Sequence, residues 1–232
     1  LLQTIQTASR RLGLNAPSSV FTSTDPAILQ LMSLCEEEGQ DQAQRYPWEA
    51  LQVQATFTTV AAQIQTPLSA ITSGLEYIVN NTIWNRTLRR PVYGPKSQQD
   101  WQQAIATQIN GPFNSFRIIA DAINFYPAPV AGQTCAFEYI TDQWITTSTA
   151  GASNTFTNDA DVPKLDNQLI VLGLIWRWRQ AKGLDFTADY QKYERRLTDN
   201  MARDGSKPSL YMDGAQYDIQ PVVLVPRGSW GV

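Results

Sequence analysis

The chain has 232 residues, enough to bury a sizeable core as one domain or as two small ones. Hydrophobic residues make up 43% and charged residues only 17%, below the usual ~25%, so surface polarity falls to Gln, Asn, Thr and Ser, a composition that suits broad protein contacts. A net charge of −3 excludes a globally basic nucleic-acid grip, no apolar run approaches the ~20 residues of a membrane span, and the first residues do not read as a signal peptide.

The first segment, LLQTIQTASRRLGL, places Leu2, Ile5 and Leu12 at helical spacing, with Gly13 as the stop. A second helix is predicted after Asp25, a good N-cap, with Pro26 in its first turn. Ile28, Leu31, Met32 and Cys35 form its apolar stripe, and Pro47 ends it. The run Glu36, Glu37, Glu38 points around the helix rather than converging, so it reads as a solvated face and not as a metal or acid cluster. In LQVQATFTTV, Leu51, Val53, Ala55 and Phe57 alternate with polar residues; a helix also fits, but the Thr and Phe content favours a strand. Residues 66–96 read as irregular, with short extended pieces near Tyr77–Val79.

Ser97 caps a further helix, with Asp100 completing a box-like arrangement. Between about 113 and 157 the sequence reads as several short strands, two of them joined by PAPVAGQ. Asp161 and Pro163 open the strongest helical pattern, carried by Leu165, Leu169, Leu172, Ile175 and Trp176 and closed by Gly183. The last helix sets Tyr190, Tyr193, Leu197 and Met201 on one side and stops at Gly205. The order implies an α+β fold: a helical bundle, a small antiparallel β region inserted at roughly 113–157, and an extended C-terminal arm. Its divisions fall at 1–205 for the folded domain and 206–232 for the arm.

Chemistry is sparse. The chain has no histidine, so Ser-His and Cys-His pairs are excluded, and neither GxxxxGK[ST] nor GxGxxG occurs. NDADVPKLDN clusters Asn158, Asp159, Asp161 and Asp166, yet lacks the central Gly and late Glu of a calcium loop; helix capping is the preferred reading. Cys35 and Cys135 lack CxxC spacing and read as buried reduced thiols, with a single disulfide as the alternative. The expectation is a non-enzyme without metal or cofactor. A carboxylate-based glycan cleavage by residues such as Glu138 and Asp142 is a competing reading.

Two basic-aromatic stretches stand out. IWNRTLRRPVY gathers Trp84, Arg86, Arg89, Arg90 and Tyr93, and WRWRQAK gathers Trp176, Arg177, Trp178, Arg179 and Lys182. Core packing or a protein interface is the preferred reading, and a nucleic-acid-binding module built on 83–93 and 176–182 is the alternative. The tail YDIQPVVLVPRGSWGV brackets Val222, Val223, Leu224 and Val225 between Pro221 and Pro226, followed by Arg227 and Trp230. LVPRGS also spells a protease recognition site; the missing histidine tag and the Trp230-Gly231-Val232 that follow favour a native tail. Its apolar, proline-stiffened character suits a docking arm.

Three stretches resemble one family: RLGLNAPSSVFTSTDPAILQLMSLCEEEGQDQAQRYPW, IVNNTIWNRTLRRPVYGP and VLGLIWRWRQAKGLDF. They are similar to the head-to-tail adaptor (connector, tail tubular A-like) proteins of short-tailed bacteriophages, from roughly Arg11 to Gly205, and TIWNRTLRRPVYGP is the most specific block. The resemblance implies a structural virion protein of the neck, assembled in the bacterial host cytoplasm. It implies a ring of about twelve copies joining the portal protein to the tail nozzle protein, with genomic DNA passing through without specific binding. Family members also tend to carry a C-terminal extension that reaches onto the portal; here it is the composition of the tail itself that marks Val222, Val223, Leu224, Val225, Arg227 and Trp230 as the expected docking residues. No catalytic residue is implied. Trp84, Arg86, Arg89, Arg90 and Tyr93 are then expected at the assembly interface.

Overall fold

The computed structural model describes residues 1–108, 111 and 113–205; the residues expected to form the C-terminal arm lie outside these. Six helices and eleven short strands appear among the described residues, a mixed α+β fold. α1 (Leu2–Leu12) buries Ile5 and Ala8 and ends at Gly13, whose φ of 73° is left-handed geometry that glycine adopts without strain. α2 (Pro26–Arg45) begins at Asp25, whose carboxylate accepts from the Ala27 N–H at 2.9 Å. Ile28, Leu31 and Cys35 on its inner face are buried.

The longest apolar run forms α5 (Asn167–Ala181), which contacts α1, α2 and α6 (Thr187–Arg203). It starts later than the Asp161–Pro163 opening expected. Asp166 is the cap, accepting from the Gln168 N–H at 3.0 Å. Asp161 is fully buried and accepts from the amides of Ser148, Thr157 and Asn158 at 2.9, 2.7 and 2.8 Å. A carboxylate that closes a loop in this way is not available to a helix that begins six residues on, at Asn167. Burial works against its charge, but those amides hold the Asp161 pKa below the usual carboxylate range.

The strands are β1 (Gln52–Thr58), β2 (Ile64–Pro67), β3 (Leu75–Ile78), β4 (Trp84–Asn85), β5 (Arg90–Pro91), β6 (Ser115–Ile119), β7 (Ala122–Tyr126), β8 (Thr134–Thr141), β9 (Ile145–Thr146), β10 (Ala152–Ser153) and β11 (Val162–Pro163). They are wider in extent than the 113–157 stretch: within residues 66–96, β3 meets the short extended piece expected near Tyr77–Val79, while β4, β5 and the short α3 (Leu68–Ile71) stand where irregular chain was expected. Strands of two to four residues are too short to display a period of two, which is why the sequence hid them. α4 (Gln98–Thr107) is capped as expected, Ser97 Oγ accepting from the Asp100 N–H at 3.1 Å.

β8 is the centre of the larger sheet. β1 lies along one edge, while β3 and β4 share the other, and β5 closes the order β1-β8-β4-β5. Ala55, Phe57, Cys135, Phe137 and Tyr139 point to one face, where they meet Phe116, Ile123 and Phe125 of the β2-β7-β6 sheet. The result is a small sandwich with its own core.

A second core belongs to the helices, but they do not enclose it alone as a bundle would. Ile140 at the end of β8, then Trp144, Ile145 and Phe156, enter it beside Ile5, Leu31, Leu169 and Leu172. Trp144 is seated over Gly39 of α2: a Cβ there would come within 2.1–2.4 Å of the indole ring. Both cysteines are free and buried, and burial pushes their thiols up to about 12 for Cys35 and about 11 for Cys135. They remain protonated and unreactive at neutral pH.

Leu172 is 5% exposed on the helix that touches three others. Leu172→Ala removes about 2–5 kcal/mol of stability, and calorimetry is expected to show a thermal midpoint lower by several degrees. An unmoved midpoint would take Leu172 out of the core.

Candidate assembly surface

The block TIWNRTLRRPVYGP folds as a hairpin rather than as irregular chain. Ile83, Asn85 and Val92 are buried and root it in the sandwich, while Arg86, Leu88, Arg89, Arg90 and Tyr93 are exposed. β4 pairs with β8 (Trp84 opposite Ala136, Asn85 opposite Cys135) and with β5 (Trp84 opposite Pro91). The turn is held by its own polar side chains. Asn85 Oδ1 accepts from the Leu88 N–H at 3.0 Å, and its Nδ2 donates to Gln133 Oε1 at 2.7 Å. The Arg86 N–H donates to the Thr134 carbonyl at 2.8 Å, and Thr87 Oγ1 accepts from the Thr134 N–H at 2.9 Å. Arg89 has a φ of 54°, which this tight turn imposes on a non-glycine residue.

The five expected interface residues fall on two sides of this hairpin. Trp84, Arg86 and Arg89 line a groove of about 430 Å³ with Gln54, Ala136 and Glu138. Arg90 and Tyr93 are gathered instead around Phe113. The Tyr93 and Phe113 rings meet edge-on at 5.4 Å, and the Arg90 guanidinium lies 5.9 Å from the Phe113 centroid. Gly94 permits this crossing, because a Cβ there would stand 2.5 Å from the Phe116 carbonyl oxygen.

The second basic-aromatic stretch is absorbed by the protein itself. Trp178 is buried, with Lys182 Nζ 4.5 Å from its ring centroid, and Arg179 pairs with Asp189 at 2.6 Å. Trp176 packs against Phe186, Tyr190 and Tyr193. Arg177 reaches α2, where it bonds Glu37 and Glu38 at 2.5 Å each and also Asp41. Arg177 and Arg179 are thus neutralised in place and have little left for phosphate.

Glu38 is the residue that the sequence reading misjudged. It is fully buried, not solvated; its carboxylate also accepts from Gln42 Nε2 at 2.6 Å and from the Tyr193 hydroxyl. The expectation that the consecutive glutamates point apart fails for two of them: Glu37 and Glu38 meet at the Arg177 guanidinium, and only Glu36 turns away, accepting from the Phe156 N–H at 3.2 Å. A signal for the buried acid was present in α5. Gly173 interrupts its apolar run, and a Cβ there would lie 2.2–2.6 Å from the Glu38 side chain. Burial pushes the Glu38 carboxyl up against the opposing hydrogen bonds from Gln42, Arg177 and Tyr193. Burial and the Glu38 charge likewise push the Tyr193 phenol up.

The other candidates disperse. Asp159 accepts from the Val20 N–H at 3.0 Å, Asp161 closes its loop and Asp166 caps α5, so NDADVPKLDN is committed to backbone. Among the described residues no group of three or more acidic or thiol side chains is arranged to hold a metal ion. Glu138 and Asp142 line separate hollows. No helix among the described residues is long and apolar enough to cross a membrane. Val222, Val223, Leu224, Val225, Arg227 and Trp230 lie outside the described residues.

What the fold presents outward is a braced basic hairpin on a small β-sandwich set beside helices. Residues 1–216 match the model of the SU10 adaptor protein family, and the chain belongs to that family. This membership agrees with the resemblance to phage head-to-tail adaptors. Comparison with curated proteins gives no match.

Arg177→Ala leaves Glu38 buried without its main partner, a change that costs about 3–5 kcal/mol at neutral pH. A carboxyl whose folded pKa lies above its unfolded value stabilises the fold below the unfolded pKa and loses that contribution as pH rises through the folded one. The Arg177→Ala deficit against wild type is therefore expected to shrink as pH falls from 7 toward 5 in urea unfolding. A deficit constant across that range would contradict this account of Glu38.

Proposed function

We propose that the chain is a structural component of a phage particle, an adaptor whose copies form a ring between the portal protein and the tail nozzle protein. The observation that carries this reading is family membership over residues 1–216, which includes the whole hairpin block. The ring takes about twelve copies, and at −3 each it carries about −36, so genomic DNA slides through it without being held. The protein catalyses no reaction and uses no cofactor. Its place is the neck of the virion, reached by assembly in the host cytoplasm. The internal pairing of Arg177 and Arg179 with carboxylates supports this reading over a nucleic-acid-binding module.

Two contact regions serve assembly. One is the hairpin with Trp84, Arg86, Arg89, Arg90 and Tyr93. The other is a docking arm over 206–232, placed on the portal through Val222, Val223, Leu224, Val225, Arg227 and Trp230. Its charges cancel, Lys207 and Arg227 against Asp213 and Asp218. An extended segment of that length reaches at most about 90 Å, enough to leave one subunit and cross another. An aromatic anchor at such a contact is worth about 2 kcal/mol or more.

Quantitative mass spectrometry and imaging of purified particles test the reading, with about twelve copies per particle expected at the neck. Finding the chain absent from particles, or scattered over the head, would sink it. Deleting 219–232 is expected to leave the thermal midpoint of the chain unchanged and to abolish joining to the portal. Normal joining by the truncated chain would remove the arm from the scheme. Arg89→Ala with Arg90→Ala is expected to reduce ring formation; unaltered ring formation with weaker DNA binding would favour the nucleic-acid reading.

A further inference from the structure

A hollow of about 340 Å³ opens in the helical half, where the end of α2, the start of α5 and the end of α6 come together. Its apolar wall is formed by Trp48, Leu165 and Leu169, all buried. Trp48 is fixed there by its indole N–H, which donates to the Gln42 carbonyl at 2.7 Å. A hollow of this size, mostly apolar with a few polar groups, is of the kind that takes a small ligand.

Its carboxylates are already committed. Asp166 accepts from the Gln168 N–H at 3.0 Å, from Arg196 Nη2 at 2.8 Å and from Asn200 Nδ2 at 2.9 Å. Asp204 accepts from the Glu49 N–H at 2.9 Å. The cations of the same lining are not committed: Lys164 and Arg203 make no ion pair among the described residues. Burial lowers the Lys164 pKa, as it does for an ammonium whose lost hydration nothing replaces.

Gln42 points the same way independently. It has no solvent exposure, and its Nε2 is spent on Glu38 at 2.6 Å, which fixes the orientation of the amide. Its Oε1 accepts from no donor among the described residues, although the residue lines the hollow. A buried acceptor left without a donor is costly, and native proteins nearly always satisfy one.

Together these groups specify a ligand. The cations call for an anion, Gln42 Oε1 for an N–H or O–H donor, and the wall for an apolar group. Lys164 and Arg203 are balanced in number by Asp166 and Asp204, so a single negative charge is accommodated better than the double charge of a phosphate. We propose that this hollow binds a monoanionic organic acid that carries an N–H donor beside an apolar side chain. That chemistry is shared by a free N-acylated amino acid and by the last residue of a peptide. The carboxylate meets Lys164 and Arg203, the N–H meets Gln42 Oε1, and the side chain packs on Trp48, Leu165 and Leu169. The inference stands apart from the adaptor reading, and its failure would leave that reading untouched.

The test is titration of the full chain with N-acetyl-leucine, followed by calorimetry and by the NMR signal of the Trp48 indole N–H, identified through Trp48→Phe. Saturable binding with a dissociation constant of about 1 mM or less is expected. Three probes each lack one feature: N-acetyl-leucinamide the charge, 4-methylpentanoate the N–H, and N-acetylglycine the apolar group. Each is expected to bind about tenfold more weakly or worse. Lys164→Met is expected to weaken N-acetyl-leucine by about tenfold. Ala50→Trp, at an exposed position on the lining, is expected to block binding without moving the thermal midpoint. A peptide ending in a free leucine carboxylate that binds more tightly than N-acetyl-leucine assigns the site to a polypeptide end, and one that binds no more tightly assigns it to a free acid. The proposal is overturned if N-acetyl-leucine gives no saturable response up to about 50 mM, which would leave water alone in the hollow. It is also overturned if acid and amide bind equally, if inorganic phosphate binds more tightly than N-acetyl-leucine, or if Ala50→Trp binds as wild type does.

Discussion

The helical half of the molecule depends on one buried charge. Glu38 has no access to water, and the guanidinium of Arg177, the amide of Gln42 and the hydroxyl of Tyr193 together replace its hydration. Gln42 reaches Glu38 from within α2, but the guanidinium and the hydroxyl arrive only when α5 and α6 are set beside it, so the full set needs all three helices in place. A buried ion pair is weak evidence for extra stability, because desolvation offsets its attraction. What it does supply here is geometry. Gly173 must be a glycine for α5 to approach the carboxylate, and Trp176 stacks beneath the same guanidinium at 4.8 Å. The most basic-looking stretch of the chain is therefore an internal brace.

The sandwich is organised differently. Its core is aliphatic and aromatic, and its polar side chains work at the rim, where Asn85, Gln133, Gln65 and Thr59 hold loops. Charge is placed accordingly. The arginines of α5 are paired with carboxylates, while Arg86 and Arg89 make no ion pair among the described residues.

Much of the helical framework was legible in the sequence because its signals are local. Asp25 and Ser97 cap the helices they precede, Gly13 takes the left-handed geometry that ends α1, and Tyr193 and Leu197 are buried on one side of α6. The hairpin residues were also legible, as a block of arginines and aromatics beside Pro91 and Gly94, although their conformation was not. β4 and β5 have two residues each, and β4, on which β5 pairs, is itself held by β8, some fifty positions further on. Nothing within such a segment announces a partner so remote. Glu38 was hidden for the same reason: three consecutive glutamates look solvated until an arginine about 140 positions later is set beside two of them.

The seat of Trp144 over Gly39 also bears on how the molecule answers force. The indole follows β8 by only three residues and rests on helix backbone, with no side chain between them to yield. Most neighbouring layers of a protein can slip by changing a rotamer; here that slack is absent. A push of the sandwich toward the helices therefore meets the α2 backbone directly. The contact sets how near the two halves come at this point, and a methyl group added at residue 39 would have to wedge them apart.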